Sequence, residues 1–519
     1  MMRQLPGRSG RAAIALAALA IVALGALAGC GSSSGGGGGK VEAGGTAYAG
    51  LDLANTRFAK GTVERANANQ LEEAWSLPLT GKSTFGSYAS TPVVANGVVY
   101  SQDLASNVQA IDLESGDVLW EKKYEEQDQG PNGVAVAEGK VFGATPTKAF
   151  ALDQESGEEL WSTPLLRSGN GEGESIDMAP GVHGGLVYVS TTPTNASASY
   201  PAGGVGILWA LDAKTGKKAW HFNTVPNGLW GDPSVNSGGG LWYPPSFDEK
   251  GFMYFGTGNP APYPGESGEP WGASRPGANL YTDSIVKLNA KTGKLAWYYQ
   301  VTPHDLYDWD FQDSPILASA GGRELAIGSG KSGLVVAVDA ETGKLVWKTP
   351  VGTHNGHDDD GLLAMRGETS KLKEGEVIPG TLGGVIAPMA ANRTTVFAPI
   401  VNHPIEVSGG GTEINESPEA FGEIAALDIK TGKVKWTKSF EAPAYGAVTA
   451  VNDLVFVTSS DGSVHALDAE NGGELWQGAL PAGTNAGVTV SGGTVLAGAG
   501  LPTAEGQQPA LVAYTLGGE

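Results

Sequence analysis

Val108-Gln-Ala-Ile-Asp-Leu-Glu-Ser-Gly-Asp-Val-Leu-Trp120 reads as a strand, a tight Asp-x-x-Ser-Gly turn and a second strand that ends in tryptophan. The Asp side chain opens such a turn, and Gly takes its positive-φ position. The pattern returns as AFALDQESGEELW (149–161), ILWALDAKTGKKAW (207–220), IVKLNAKTGKLAW (285–297), VVAVDAETGKLVW (335–347), IAALDIKTGKVKW (424–436) and VHALDAENGGELW (464–476). Upstream of most copies lies another strand pair, such as TPVVANGVVYSQD at 91–103 and GVAVAEGKVFGAT at 133–145. Each unit is therefore predicted to be a four-stranded antiparallel sheet. Units of about 40 residues in series mark a β-propeller.

Seven units are complete and an eighth is split between the ends. Leu71-Glu-Glu-Ala-Trp75-Ser-Leu-Pro-Leu79 supplies an orphan outer strand, and AGVTVSGGTVLAGAG (486–500) with PALVAYTL (509–516) supplies three strands that lack a tryptophan strand. Pairing the termini gives an all-β, eight-bladed propeller with no open sheet edge. The eight repeat tryptophans read as packing between blades. Naming the strands a to d from the axis outward, the Asp-x-x-Thr-Gly turns are all c–d turns on one face. The long insertions at 163–180, 223–241, 302–313 and 350–380 are d–a loops, and those at 191–205, 259–283 and 402–422 are b–c loops. They share the opposite face, where grafted loops carry function.

The N-terminus is read separately. Arg3, Arg8 and Arg11 precede the apolar run AAIALAALAIVALGALAG, which ends at Cys30. This is the charged and apolar layout of a secretory signal. Leu27-Ala28-Gly29-Cys30 resembles the bacterial lipobox, which implies lipidation of Cys30; the other reading is an uncleaved span. The expected organisation is a signal peptide at 1–29, a lipidated Cys and Gly/Ser-rich tether at 30–46, and one propeller at 47–519, exported and anchored to the membrane. Cys30 is the only cysteine, so the chain holds no internal disulfide, no Cys-x-x-Cys-His haem site and no cysteine zinc site. A net charge of −22 disfavours nucleic acid and anionic lipid headgroups as partners.

One stretch on the functional face stands apart from the repeats. It runs Gly238-Gly-Gly-Leu-Trp242, Gly256-Thr-Gly-Asn259-Pro-Ala-Pro262, Arg275-Pro-Gly-Ala-Asn-Leu-Tyr-Thr-Asp-Ser284 and Thr302-Pro-His-Asp-Leu-Tyr-Asp308-Trp-Asp310. It closely resembles the pyrroloquinoline quinone (PQQ) dependent alcohol and methanol dehydrogenases. The resemblance implies that PQQ stacks on Trp242 and that Asn259 ligates a metal, Ca²⁺ or a lanthanide. It implies that Asp308 is the catalytic base and a metal ligand, and that Asp310 is a second metal carboxylate. Lys331, in Gly328-Ser-Gly-Lys-Ser-Gly333, is implied to lie beside the quinone oxygens. The implied reaction is oxidation of an alcohol, with electrons leaving to a separate acceptor such as a cytochrome.

The same residues have plainer readings: Asn259 as a turn former, Asp308 and Asp310 as solvated loop acids, Trp242 as core. The sequence also departs from the family. The loop TTPTNASASYPAGGVG (191–206) lacks the expected metal-ligand Glu, Ala89 and Asn132 stand where the family has Glu and Arg, an Asn-Trp pair is replaced around 385–387, and the adjacent-cysteine lid cannot form. Glu172, Glu174 and Asp177, or the cluster His354, His357, Asp358, Asp359 and Asp360, offer replacement ligands on the same face; the latter also reads as a solvated acidic loop. Two alternatives to the enzyme stay open. One is a binding scaffold like the PQQ-repeat lipoproteins of outer-membrane assembly. The other is a degenerate quinoprotein that binds without turnover.

Overall fold

The computed structural model describes residues 46–167, 173–193, 204–226 and 228–517. The signal peptide, Cys30 and nearly all of the tether lie outside the described residues. Among those described, the only α-helix is the short Asp360–Met365, and none is long and apolar enough to cross a membrane.

The fold is an all-β propeller of four-stranded antiparallel sheets, each laid down in chain order from one edge to the other. Val93–Ala95, Val98–Gln102, Val108–Asp112 and Val118–Lys122 make the first such sheet. The order repeats in the sheets that begin at Ala135, Gly181, Ser246, Ile316, Ala390 and Thr449. In the last sheet, Thr489–Ser491, Thr494–Ala499 and Ala510–Leu516 are joined by Leu71–Pro78 from the other end of the chain, with Trp75 opposite Ala513 and Leu77 opposite Leu511. The predicted pairing of the termini is thus present. Middle strands are buried on both faces, as in Val98–Gln102, whereas outer strands such as Lys218–Asn223 alternate between exposed and half-buried. That alternation is the period-two pattern of an edge strand with one face against a neighbour.

The repeat tryptophans hold adjacent sheets together by one recurring contact. Trp120 Nε1 donates to the Gln154 carbonyl (3.1 Å), Trp161 to Ala213 (3.1 Å), Trp347 to Ile429 (2.9 Å) and Trp436 to Ala469 (3.2 Å). Each ring covers the turn glycine of the following sheet. A Cβ on Gly157, where φ is +72°, would meet Trp120 Cε3 at 2.6 Å. The glycine is therefore required twice, by its backbone angle and by the ring above it. Trp75 reaches from the split sheet to Leu113 (3.0 Å), and Trp476 reaches the split sheet at Leu71 (2.9 Å).

Residues 47–62 form an arrangement that the repeat does not foretell. They run past the innermost strands of successive sheets, pairing mainly through backbone groups. Ala47 bridges Val136, Leu53 and Ala54 accept from Phe247 and Leu317, Thr56 accepts from Ala391, Phe58–Ala59 lies parallel to Ala450 and Val451, and Thr62 donates to Gly492. This segment carries Arg57 into the molecule, where it is 2% exposed.

Candidate active site

Asp305 builds the loop that carries the two candidate carboxylates. Its carboxylate accepts the backbone N–H groups of Tyr307 (2.8 Å) and Trp309 (2.7 Å), which closes a tight turn around Asp308, itself at φ +60°. Trp309 is turned into the protein, donating to the Pro379 carbonyl (3.0 Å) and packing edge-on against Tyr307. Asp308 and Asp310 face a common point.

That point is occupied by the Lys331 ammonium. It lies 2.7 Å from Asp308 Oδ2 and 2.5 Å from Asp310 Oδ2, and the Lys331 backbone N–H donates to the Asp310 carbonyl at 2.9 Å. Asp310 Oδ1 accepts the Asn259 N–H at 2.7 Å, which ties the fourth residue to the group. The two carboxylates hold Lys331 firmly protonated, well above the usual lysine range. Burial drives the Asp308 carboxyl well above the usual carboxylate range, and Lys331 pulls it back. Asp308 Oδ1 is buried without a hydrogen-bond partner.

Lys331 and Asp310 also line a cavity of about 270 Å³ with Trp242, Tyr243, Gln129, Gly130, Pro131 and Gln312. Phe85 and Leu382, both largely exposed, and Ile386 complete its apolar rim. The cavity brings d–a loops together with the b–c loop 330–333. The structure thus gathers Trp242, Asp310 and Lys331 around one space, with Asp308 reached through Lys331 and Asn259 through Asp310. Gly258 permits the close approach, because a Cβ there would lie 2.7 Å from Asp310 Oδ1 and 3.4 Å from the Trp242 indole nitrogen.

The other candidates are placed differently. Glu172 lies outside the described residues, as does most of the 191–206 loop. Glu174 is bound to Arg167, and Asp177 accepts from Gln129 (2.9 Å) and Ser175 (2.7 Å). In the 354–360 cluster each histidine takes its own carboxylate, His354 with Asp358 (2.7 Å) and His357 with Asp360 (2.6 Å). No group of three or more acids, histidines or cysteines converges to hold a metal among the described residues. Asp360 instead accepts the Tyr307 hydroxyl at 2.6 Å, so this cluster braces the loop that carries Asp308.

Three polar residues at or near the site were not singled out from the sequence. Asp283 is fully buried with neither oxygen partnered among the described residues, and burial next to Asp305 and Asp310 holds its carboxyl well above the usual range. It lies inside the distinctive 275–284 motif, which was the available signal. Gln129 and Arg57 have no motif around them.

The family model for the glucose/ethanol/alcohol dehydrogenase β-propeller domain matches residues 46–140 and 166–349, over half the chain and all five candidate residues. The chain belongs to this PQQ β-propeller dehydrogenase family. It is 30% identical over 508 residues to the quinohemoprotein alcohol dehydrogenase of Comamonas testosteroni, covering 84% of this chain and 69% of that protein. It is 29% identical over 515 residues to the putative dehydrogenase XoxF of Paracoccus denitrificans, covering 83% and 82%. The crystal structure of the Comamonas testosteroni enzyme superposes with a TM-score of 0.75 at 26% identity, over 91% of this chain and 80% of that one. A second model, outer membrane protein assembly factor BamB, matches residues 401–513, which contain none of the five.

The site fits the family's planar quinone. An indole face borders a cavity of suitable size, with a fixed ammonium at its edge for the quinone oxygens. It also offers a hard cation the unpartnered carboxylate oxygen Asp308 Oδ1, while Asn259 meets the group through its backbone N–H. In this structure the Lys331 ammonium lies between the two carboxylates.

Proposed function

We propose that the chain is an exported, lipid-anchored, PQQ- and metal-dependent dehydrogenase that oxidises an alcohol or related hydroxyl compound. The observation that carries this reading is the cavity faced by Trp242 and edged by a lysine locked between Asp308 and Asp310. The family membership supports an alcohol-dehydrogenase-like oxidoreductase using PQQ with Ca²⁺ or a lanthanide. When bound, the quinone supplies a hydride acceptor and the metal a Lewis acid.

The protein's own residues supply the proton chemistry. Asp308 Oδ1 is free to accept the hydroxyl proton of the substrate, while Oδ2 remains on Lys331. A carboxyl whose pKa is raised by burial is the stronger base, and the neighbouring ammonium favours its ionised form. Asp310 fixes Lys331 and Asn259 in position. Trp242 and the apolar rim of Phe85, Leu382 and Ile386 limit water at the reacting centre. Electrons then leave to a separate acceptor such as a cytochrome, because this sequence has one cysteine and no c-type haem motif.

The scaffold is inferred to be one ring of eight blades spanning 47–519. Its support is the chain of tryptophan contacts, which passes from Trp75 through each repeat tryptophan to Trp476 and back to the split sheet at Leu71. Residues 1–29 act as the signal peptide and 30–46 as the lipidated tether. Cys30→Ser should free the protein from membranes; unchanged membrane association would overturn the anchor. The scaffold alternative gains nothing from the site, since the BamB match lies outside it.

The test of function is reconstitution of purified protein with PQQ and either CaCl₂ or LaCl₃. Bound-quinone absorbance and alcohol-dependent dye reduction are expected. Quinone binding without dye reduction for any primary alcohol would favour a non-catalytic quinoprotein, and no binding would remove the quinone reading altogether.

A further inference from the structure

A second cavity, about 30 Å³, lies next to the candidate quinone pocket and shares Pro131 and Tyr243 with it. It is lined by residues from the starts of many innermost strands, and it is closed by the N-terminal segment through Ala49, Gly50, Asn55 and Arg57. The guanidinium donates to the carbonyls of Val448 (2.7 Å) and Ala49 (2.5 Å) and, weakly, to Thr449 Oγ1 (3.5 Å). A guanidinium has five N–H groups, so two have no acceptor among the described residues. No carboxylate among the described residues forms an ion pair with it. Asp313 acts on it electrostatically but makes no ion pair with it, and burial pushes the Asp313 carboxyl up to about 8.

The rest of the lining is polar and incompletely satisfied. Asn132 and Asn485 each bury a side-chain oxygen without a partner, and Thr91 and Tyr445 add hydroxyls. Ala89 and Asn132, two of the positions at which the sequence departs from the family, both line this cavity. A buried, unneutralised cation beside open polar groups is costly unless an anion completes it.

We propose that this axial cavity is an anion subsite of the quinone pocket, in which Arg57, delivered by the N-terminal segment, receives a carboxylate of the cofactor. The proposal rests on the reading of the Trp242 cavity as the quinone site. It assigns a binding role to a segment outside the repeats and names the positive charge that offsets the small residues at 89 and 132. Selectivity for the charged cofactor over its uncharged esters follows from it.

The test uses the purified full chain with Ca²⁺, titrated by tryptophan quenching with PQQ and with PQQ trimethyl ester. The wild type should bind PQQ about tenfold or more tighter than the ester, as expected for a charge-assisted contact. Arg57→Gln should lower PQQ affinity to the ester's level and leave the ester unchanged. Asn132→Asp covers the case in which Arg57→Gln fails to fold. It keeps Arg57 and places a carboxylate in the same cavity, so PQQ affinity should fall about tenfold while thermal stability holds or rises. PQQ binding that neither substitution affects overturns the subsite and leaves the quinone reading intact. Absence of PQQ binding by the wild type overturns both, which keeps the two failures distinct.

Discussion

Lys331→Met removes the cation that binds both Asp308 and Asp310 and keeps most of the side-chain volume. The ammonium is 2.7 and 2.5 Å from the two carboxylates, and its side chain is 11% exposed. At an effective dielectric of about 20, each contact is worth roughly 6 kcal/mol before desolvation is subtracted. Breaking a buried pair by removing one partner costs about 3–5 kcal/mol, because the other charge is left unpaired. The cost must depend on pH. The Asp308 carboxyl stands above its ordinary value even with Lys331 present. A group raised on folding favours the folded state below its unfolded pKa, about 3.9 for Asp, and loses that advantage as pH rises through the folded pKa. Lys331 limits this loss in the native chain, and in the variant it grows unchecked. Urea unfolding should therefore show a deficit near 1 kcal/mol at about pH 4 that widens to about 3–5 kcal/mol at about pH 8. Millimolar CaCl₂ or LaCl₃ should recover part of it at pH 8, since the two freed carboxylates then face a common vacancy. A deficit that is absent, or equal at both pH values, would refute the claim that Lys331 is the structural counter-ion of this pair.

Asp308→Asn should lower dye reduction by roughly 10²–10⁴-fold, the range for loss of a general base, while the PQQ dissociation constant measured by quenching stays within about threefold. Trp242→Ala should weaken PQQ binding about tenfold or more through loss of the stacking face, with an unaltered far-ultraviolet circular dichroism spectrum. Gly157→Val meets both the +72° backbone angle and the Trp120 ring at 2.6 Å, and should cost about 2 kcal/mol or more in urea unfolding; a neutral effect would refute the ring-on-glycine contact.

The strands, their order within each sheet and the pairing of the two ends were legible because they rest on local signals. Alternation, turn chemistry and a recurring tryptophan suffice to place them, and Trp75 opposite Ala513 follows from counting strands. The role of those tryptophans was also readable, although the carbonyl each one reaches was not. Residues 47–62 were opaque for a physical reason. They pair mainly through backbone N–H and C=O groups, which every residue supplies, so AYAGLDLANTRFAKGT carries no alternation that would announce its course.

The site was legible only as a list of parts. Motif order singled out Trp242, Asn259, Asp308, Asp310 and Lys331, which the fold brings together, but no spacing along the chain states that a lysine side chain reaches between two carboxylates. A lysine 21 residues beyond Asp310 reaches this point once 328–333 folds as a strand end and tight loop. The same limitation hid Arg57, which precedes the distinctive motif at Gly238 by 181 residues and meets Ala89, Asn132 and Asn485 through the N-terminal segment. These two cations have a common logic. In a chain of net charge −22, an anionic cofactor requires positive charge fixed where surface acids cannot neutralise it. Lys331 is shielded by its own two carboxylates and serves the reacting edge. Arg57 has no carboxylate in ion-pair contact among the described residues, and in the proposed subsite its charge is free to hold a carboxylate. Substitutions around Ala89 and Asn132 are then consistent with a pocket whose anchoring charge has moved from the loop face to the axis, rather than with a pocket that has lost it.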